Sequence, residues 1–583
     1  MAAASYDASP VLIVGAGPTG LAAAMSLARA HIPVRLIDKA LQPDPHSRAI
    51  GIQARTLELF EQHRVVEPFL ELGHRARAAN LYSNGQRLAR LDFDPLQTRY
   101  PYLLFLDQSV TERLLTEQLA TLGVTVERGV ELTEFVQGSA GLSASLLRAD
   151  GRSETMHPSY LIAADGAHSA IRHRLGMSFA GKTFEQTFLL ADLQAETGWP
   201  DDEFHIFASG EGLAALFPMG GERYRLIADH SPQPDSAEAD AAPADPDVAP
   251  GTEASAAPAS GASSSFASAV SPPPPSLGEC CAIAERRIHH PVKFTELGWS
   301  AHFHLNSRMV EQLRVERVFL AGDAAHVHSP AGAQGMNTGI QEAFNLGWKL
   351  ARVLKGAAPD RLLDSYHLER HPIEREVLRQ TSFVTQLAEA DHGPLKLLRE
   401  RVMPALAALG PLRDAARLTV SELSIQYRRS PLTLERILDG GPRAGERAPD
   451  ALVHVVDGPL GRAPGIGCIF DLHDPAFFSL FLMVAPSGAE DAPLDTSAGR
   501  IAAANAADLD RMGAAVERLL RGAVRIWRVT DVAGEGAPPL SESYGRTRPA
   551  FYLVRPDGYV SVRGRPAFDL NALLRHCEAW FAG

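Results

Sequence analysis

The chain has 583 residues, 45% hydrophobic and 21% charged, with a formal net charge of −13. At about 100–200 residues per domain, that length makes room for three or four domains and a large buried core, and the acidic balance argues against nucleic acid as a partner. The four cysteines (Cys280, Cys281, Cys468, Cys577) form no C-x-x-C and no zinc-spaced cluster, which fits a reduced, cytoplasmic setting.

Met1 to Pro10 carries no Lys or Arg, so no signal peptide is expected. Phe477 to Pro486, the most apolar later stretch, is far shorter than the ~20 residues of a membrane helix, so no membrane partner is expected either.

Val11 to Val14 is a short apolar run without alternation, the pattern of a parallel strand buried on both faces. Gly15-Ala-Gly17-Pro-Thr-Gly20 follows and fits G-x-G-x-x-G. Leu21 to Ala30 reads as a helix, and Val34 to Ile37 as a second strand ending at Asp38. Gly15 permits the tight turn, Gly17 lets the backbone approach a pyrophosphate, and Gly20 lets helix and strand pack closely. The helix N-terminus offers free N–H groups, and Asp38 can accept from a ribose diol. A lone G-x-G-x-x-G is weak, but here the strand, helix, second strand and acid all stand at the required offsets. An adenine dinucleotide is expected. No G-K-[ST] follows, so a nucleoside triphosphate is not.

Gln53 to His63 reads as an amphipathic helix. Asn80 to Phe93 reads as a hairpin turning at Asn84-Gly85, a pair that accepts positive φ at both residues. Asp107 to Leu122 reads as a helix, and Val124 to Glu127, Leu142 to Arg148 and Glu154 to His157 as strands. Tyr160 to Ala164 is an apolar strand running into Asp165-Gly166, with a short basic helix at Ser169 to Leu175. Phe188 to Leu193, Glu203 to Ala208, Leu213 to Met219 and Tyr224 to Ala228 read as an antiparallel sheet, the wall of a substrate chamber.

Ser231 to Gly278 is dominated by Ala, Pro, Ser, Asp and Gly and reads as a disordered insert. Arg317 to Ala321 is a strand running into Gly322-Asp323. Gln334 to Leu354, Arg361 to Ala390, Leu395 to Leu409 and Leu412 to Arg428 read as helices, and Gly440 to Pro449 as a linker. Beyond it come strand (Phe478 to Val484), helix (Arg500 to Leu520), strands (Val524 to Val529, Phe551 to Val554, Tyr559 to Val562) and helix (Leu570 to Phe581). The fold class is α/β, α+β overall: a Rossmann-like dinucleotide-binding domain interleaved with an antiparallel-sheet domain, then a helical segment and a small α/β tail.

Three separated segments place polar groups at strand ends, where open α/β sheets collect ligands. They are the fingerprint, Asp165-Gly166-Ala-His-Ser-Ala-Ile-Arg172, and Gly322-Asp323-Ala-Ala-His326-Val-His328-Ser-Pro330-Ala-Gly-Ala-Gln-Gly335-Met336-Asn337. Gly335 to Asn337 opens a helix whose free N–H groups can stabilise charge on a ring edge. In this order the segments match the GxGxxG, DG and GD motifs. From roughly Ser9 to Ser430 the sequence resembles the single-component FAD-dependent aromatic hydroxylases (class A flavoprotein monooxygenases), more narrowly the phenol hydroxylase and hydroxyphenylpropionate hydroxylase branch. Relatives there carry a thioredoxin-like C-terminal domain, and Phe551 to Arg563 is similar to its end.

The resemblance implies FAD as cofactor and NAD(P)H as co-substrate. The partners it implies are a small aromatic substrate and O2, with a homodimer as the family's expectation. The implied reaction is hydroxylation of a phenolic ring through a flavin C4a-hydroperoxide. Gly15, Gly17, Gly20 and Asp38 would hold the ADP half of FAD, Arg48 would contact the pyrophosphate, and Gln108 would also contact FAD. Gly322-Asp323 would bind the ribityl chain and Gly335, Met336 and Asn337 the ring edge. Asp165 and Arg172 would serve both FAD and the nicotinamide coenzyme. Pro330 would lie beside the ring, with Tyr224, His302 and Phe303 as pocket candidates by position only. No catalytic base is identified. Ala333 stands where many relatives have Gly, which a methyl tolerates unless φ is positive.

The implied FAD-binding domain comprises 1–79, 101–180 and 301–358. The substrate domain is the hairpin 80–100 and the sheet 181–300 with insert 231–278. A helical region, 359–440, and a thioredoxin-like domain, 441–583, complete the chain. His326 and His328 invite a metal reading, but no third ligand recurs at the right spacing, so no metal is expected. Cys468 lacks the second cysteine of a redox centre. One alternative is a polyketide- or antibiotic-tailoring oxygenase on the same fold; another is a non-catalytic FAD-binding sensor. A halogenase is disfavoured because Trp199, Trp299, Trp348, Trp527 and Trp580 are far apart.

Overall fold

The computed structural model describes residues 9–583 except 46–48, 140, 210, 231–272, 329–332, 389–408, 460–463, 485–495, 533, 535–536 and 547–548. Arg48, Pro330, most of the expected insert and nearly all of the helix expected at Leu395 to Leu409 therefore lie outside the described residues.

The first sheet has six strands in the order Arg314–Val315, Val318–Leu320, Leu161–Ala163, Val11–Val14, Val34–Asp38 and Val126–Arg128. All neighbours pair in parallel except the hairpin at the Arg314 edge. Val11–Val14 is central and buried throughout, which is why its run is apolar without alternation. The fingerprint helix, Pro18–Arg29, packs against the long helix Gly335–Leu354, here called the GD helix. Small residues set their distance: an added Cβ at Gly339 would strike Thr19 Oγ1, and one at Gly347 would strike Ser26 Oγ.

The second sheet has eight strands, and its two longest, Ala180–Glu196 and Lys293–Met309, pair antiparallel along most of their length. The expected hairpin is present as Ala78–Ser83 and Gln86–Asp92, with φ of 46° at Asn84 and 79° at Gly85. Two expectations need correction. Lys293–Met309 was not read as a strand, and it runs unbroken through residue 300, where a domain boundary was expected. The expected insert extends too far, because Ser276 forms a capping box with Glu279 and opens a helix over Leu277–Arg287. That helix covers the outer face of the sheet, with Cys280 and Ile283 packed against Leu189, Leu216, Tyr224 and Leu226.

The next long helix is Asp364–Ala388, and a shorter one spans Gly410–Val420. The latter stops well before Arg428, and Glu422 at φ 58° follows two residues on. The tail is a six-stranded sheet in the order Gly465–Cys468, Leu452–Asp457, Val524–Asp531, Phe478–Met483, Ala550–Val554 and Val560–Gly564. Among the described residues its one parallel pair of strands, Phe478–Met483 with Val524–Asp531, is joined by the helix Ser497–Leu520 in the manner of a crossover. Leu452–Asp457 and Gly465–Cys468 went unread in the sequence. The four cysteines are free, and Cys577 is part of the tail's core. Among the described residues no helix is long and apolar enough to cross a membrane.

Three buried histidines make stability sensitive to acid. Burial pushes His63 down to about 3, and His205 and His473 to about 4. A depressed folded pKa means the unfolded chain binds the extra proton. The stability is therefore complete above the ordinary value of 6.5 and is lost as pH falls towards 4 and 3. At about 1.4 kcal/mol per pKa unit the three together are worth on the order of 10 kcal/mol. Urea midpoints should fall steeply between pH 6.5 and 4; a flat profile there would contradict the neutral-histidine assignment.

Candidate active site

The fingerprint forms the floor of the site. Gly15 has φ 104°, and a side chain there would collide with the Ala164 carbonyl; a Cβ at Gly20 would collide with the Gly15 carbonyl. Gly17 is different. A Cβ placed on it meets nothing within 4 Å, so the space beyond its backbone is open. Two glycines are thus required by the fold and the third by whatever occupies that space. Asp38 closes the second strand, and its Oδ2 accepts the Ala16 N–H at 2.8 Å and lies 3.6 Å from Arg128 Nη1.

The DG and GD segments meet beside it. Asp165 accepts the Ile171 N–H at 3.3 Å through Oδ2. Its Oδ1 is buried and has no hydrogen-bond partner among the described residues. Arg172 is 2% exposed. Its guanidinium donates to the Ala324 carbonyl at 3.0 Å and the Ala167 carbonyl at 2.8 Å, and it lies over the Phe179 ring at 3.9 Å. It braces the DG segment against the GD segment, and its Nε has no hydrogen-bond partner among the described residues. Gly322 has φ 59° and Thr19 Oγ1 at 2.5 Å from an added Cβ. Asp323 follows in a short 3-10 turn with its side chain exposed.

At the start of the GD helix, Asn337 is fully buried. Its Oδ1 accepts the Gln53 N–H at 3.0 Å, and its Nδ2 donates to the carbonyls of Gly51 and Ala333, each at 2.8 Å. The side chain is spent on holding the turn at the start of the GD helix. Gln108 is tied to Ala49 through its backbone and side chain and donates to Glu112 Oε1 at 2.9 Å, adjacent to the undescribed residues 46–48.

Ala333 has φ 54°. This is the left-handed region in which a methyl is strained, so the tolerance expected for this departure from Gly does not hold. Ala333→Gly should raise unfolding free energy by up to about 1 kcal/mol, the cost of a non-Gly residue at positive φ. A decrease in the urea midpoint would show that the turn tolerates the methyl without strain.

Above the motifs lies one face of the eight-stranded sheet. Phe217, packed against the FAD-side core, is directly opposite Arg225 in register, so Arg225 and Ile227 share that inward face. By the same register, Phe188, Leu190 and Asp192 face inward, as does Phe303 opposite Phe188, with ring centroids 5.8 Å apart. Phe188, Leu305, Ile227 and Phe303 form a small apolar cluster there. Two pocket candidates are placed elsewhere. Tyr224 lies on the opposite face in the cluster under Leu277–Arg287, its hydroxyl 3.1 Å from Thr197 Oγ1. His302 is opposite Leu189 and so also faces outward.

Arg225 was missed. Its side chain is fully buried, its Nε and Nη2 meet the two Asp192 oxygens at 2.5 and 2.6 Å, and Asp107 lies 3.5 Å away. The available signal was a charged residue inside an apolar strand, Tyr-Arg-Leu-Ile. Nearby, a cavity of about 170 Å³ is lined by Leu72, Phe105, Asp107, Val110, Met219 and Arg223, among others. The site as a whole fits FAD on two observations of this structure: the open cradle at Gly17 and the unpartnered Asp165 oxygen.

This geometry defines a dinucleotide-binding flavoprotein with a walled chamber over the cofactor cleft. The chain matches the FAD binding domain family over residues 8–381 and belongs to it. The 6-methylpretetramide 4-monooxygenase of Streptomyces rimosus is 32% identical over 574 residues, covering 96% of this chain and 91% of that protein. Pentachlorophenol 4-monooxygenase of Sphingobium chlorophenolicum is 33% identical over 455 residues, covering 77% of this chain and 76% of that one. Among solved structures, the OxyS anhydrotetracycline hydroxylase from Streptomyces rimosus superposes with a TM-score of 0.70 at 26% identity, covering 99% of both chains. The protein is a single-component FAD-dependent aromatic monooxygenase.

Proposed function

We propose that the chain hydroxylates a phenolic ring within a polycyclic, polyketide-type aromatic, with NAD(P)H as reductant and O2 as oxygen source. What supports the substrate class is whole-chain similarity, tail included, to monooxygenases named for 12-dehydrotetracycline and anhydrotetracycline. The pentachlorophenol enzyme matches about three quarters of the chain, and a single-ring phenol is the second reading. FAD, when bound, supplies the redox chemistry. The protein's own residues bind, orient and exclude water. The fingerprint N–H groups face the pyrophosphate, with Asp38 on the ribose, Arg48 on the pyrophosphate and Gln108 also contacting FAD. Gly322-Asp323 takes the ribityl chain, and the Gly335, Met336 and Asn337 backbone takes the ring edge. Phe188 and Phe303 give the chamber an apolar wall that keeps water from the reacting centre. Pro330 borders the substrate.

The same reading assigns the second sheet to substrate, the tail to a structural, thioredoxin-like module, and the whole to a cytoplasmic homodimer. The test is NAD(P)H oxidation and oxygen uptake by the FAD-loaded protein against tetracyclic and angular polyketide phenols and single-ring phenols. Stimulation confined to the polycyclic set supports the proposal; stimulation confined to single rings moves the substrate to the second reading.

A further inference from the structure

Beneath the GD segment lie three buried groups that neither the FAD contacts nor the chamber use. His326 follows Gly322-Asp323, Glu342 is on the GD helix, and Glu374 is on the helix Asp364–Ala388. One ligand-type atom from each lies within 4.8 Å of the others, and all three residues are buried. Glu342 is fully engaged: Oε2 accepts the Gly322 N–H at 2.7 Å, and Oε1 accepts from His326 Nε2 at 2.8 Å. Glu374 is fully buried, and neither of its oxygens has a hydrogen-bond partner among the described residues. A bare carboxylate in that position would be a buried charge with no hydrogen bond, beside a second carboxylate and with one guanidinium, Arg370, between the two acids, which is unfavourable.

We propose that Glu374 is a neutral carboxylic acid donating its proton to Glu342, and that this acid–carboxylate pair is the positioning device that fixes the GD segment for FAD. Glu342 links the Gly322 N–H, His326 and the GD helix in one clamp, and the proton on Glu374 lets a second carboxyl group pack against that clamp without repelling it. The other groups facing the pair are accounted for. Arg370 Nη2 lies 3.9 Å from Glu342 Oε1 and also donates to the Thr338 carbonyl. The Tyr366 hydroxyl donates to the Leu320 carbonyl at 2.9 Å, and His371 Nε2 lies 3.2 Å from the Val310 carbonyl. Glu422, whose carboxyl burial pushes up to about 8, is paired with Gln341. The direction of titration agrees: burial, then the neighbouring Glu342, holds Glu374 well above the ordinary carboxylate range. A divalent cation is the competing occupant. It would require both carboxylates ionised, beside a guanidinium that already supplies positive charge.

The proton is read directly by infrared difference spectroscopy on FAD-free protein, through the C=O stretch of a buried carboxylic acid. The wild type should show a band that is lost in Glu374→Gln, apart from the band of the buried Glu422 carboxyl, which both proteins keep. The amide of Glu374→Gln still donates to Glu342, so this variant should bind FAD within about twofold of wild type. Glu374→Leu removes the donor and should weaken FAD binding about tenfold or more, one lost hydrogen bond to a charged group. Wild-type FAD affinity should fall as pH rises through the pair's second ionisation, and the Gln variant should not follow it. Identical acid bands in wild type and Glu374→Gln, identical pH profiles for the two, or one equivalent of divalent metal lost in Glu374→Gln would each overturn the proposal.

Discussion

Gly17→Val is expected to yield a folded protein that purifies colourless. A Cβ at Gly17 meets no protein atom within 4 Å, so the side chain costs the apoprotein nothing by collision. The same space is where a pyrophosphate must approach the backbone to use the N–H groups at the start of Pro18–Arg29. Valine there displaces the phosphate and should lower FAD affinity by at least about 100-fold, a loss of about 3 kcal/mol or more. Gly15→Val and Gly20→Val make the contrast. Their added atoms strike backbone carbonyls, so those variants should lose the fold as well as the cofactor. Far-UV circular dichroism and flavin absorbance on the same preparations separate the outcomes. A yellow Gly17→Val protein with full FAD content would remove the fingerprint from the site.

The second large effect is at the junction of the tail with the GD helix. Arg555 donates to Glu369 through Nη1 at 2.6 Å and Nη2 at 2.9 Å, and to Asp557 through Nε at 3.0 Å. Lys349 Nζ and Asn345 Nδ2 reach Glu369 at 2.7 and 2.8 Å, and Trp348 Nε1 reaches Asp557 at 3.1 Å. Glu369 is buried among two cations. Burial alone would raise it, but Arg555 and Lys349 hold it below the usual carboxylate range. Burial also pushes Lys349 down to about 8. Glu369→Leu strands two cations with only Asp557 left to answer them, and should cost about 3–5 kcal/mol of unfolding free energy. That is a large share of a typical total of about 5–15 kcal/mol. Glu376→Leu, on the exposed face of the helix Asp364–Ala388 and paired among the described residues with Arg379 and Gln380, should change stability by less than about 1 kcal/mol. Equal urea midpoints for the two variants would show that the tail is not held by this network.

The sequence made the cofactor cleft readable and the substrate chamber only in part, for physical reasons. Val11–Val14 and Gly15 to Gly20 are dictated locally: a buried parallel strand must be apolar, and a turn at φ 104° must be glycine. Lys293–Met309 carries no such constraint. Its strand state comes from pairing with Ala180–Glu196 far away in the chain, and its many polar residues hid it. The same distance effect misplaced Tyr224 and His302, since which face a strand residue occupies is fixed by register with partners not visible locally. The triad of His326, Glu342 and Glu374 was invisible as a cluster because its members come from three separate elements. Arg225 was legible in principle as a charge inside an apolar strand, but Asp192 as its partner was not.

The measurement that bears most directly on the monooxygenase assignment is isotope incorporation. FAD-loaded protein is supplied with NAD(P)H, a polycyclic phenol that stimulates NAD(P)H oxidation, and 18O-labelled O2. The product should gain one hydroxyl bearing the label, in proportion to the NAD(P)H consumed. A product with oxygen from water, or NAD(P)H oxidation that yields only hydrogen peroxide with every ring tested, would contradict the assignment of this chain as a hydroxylase.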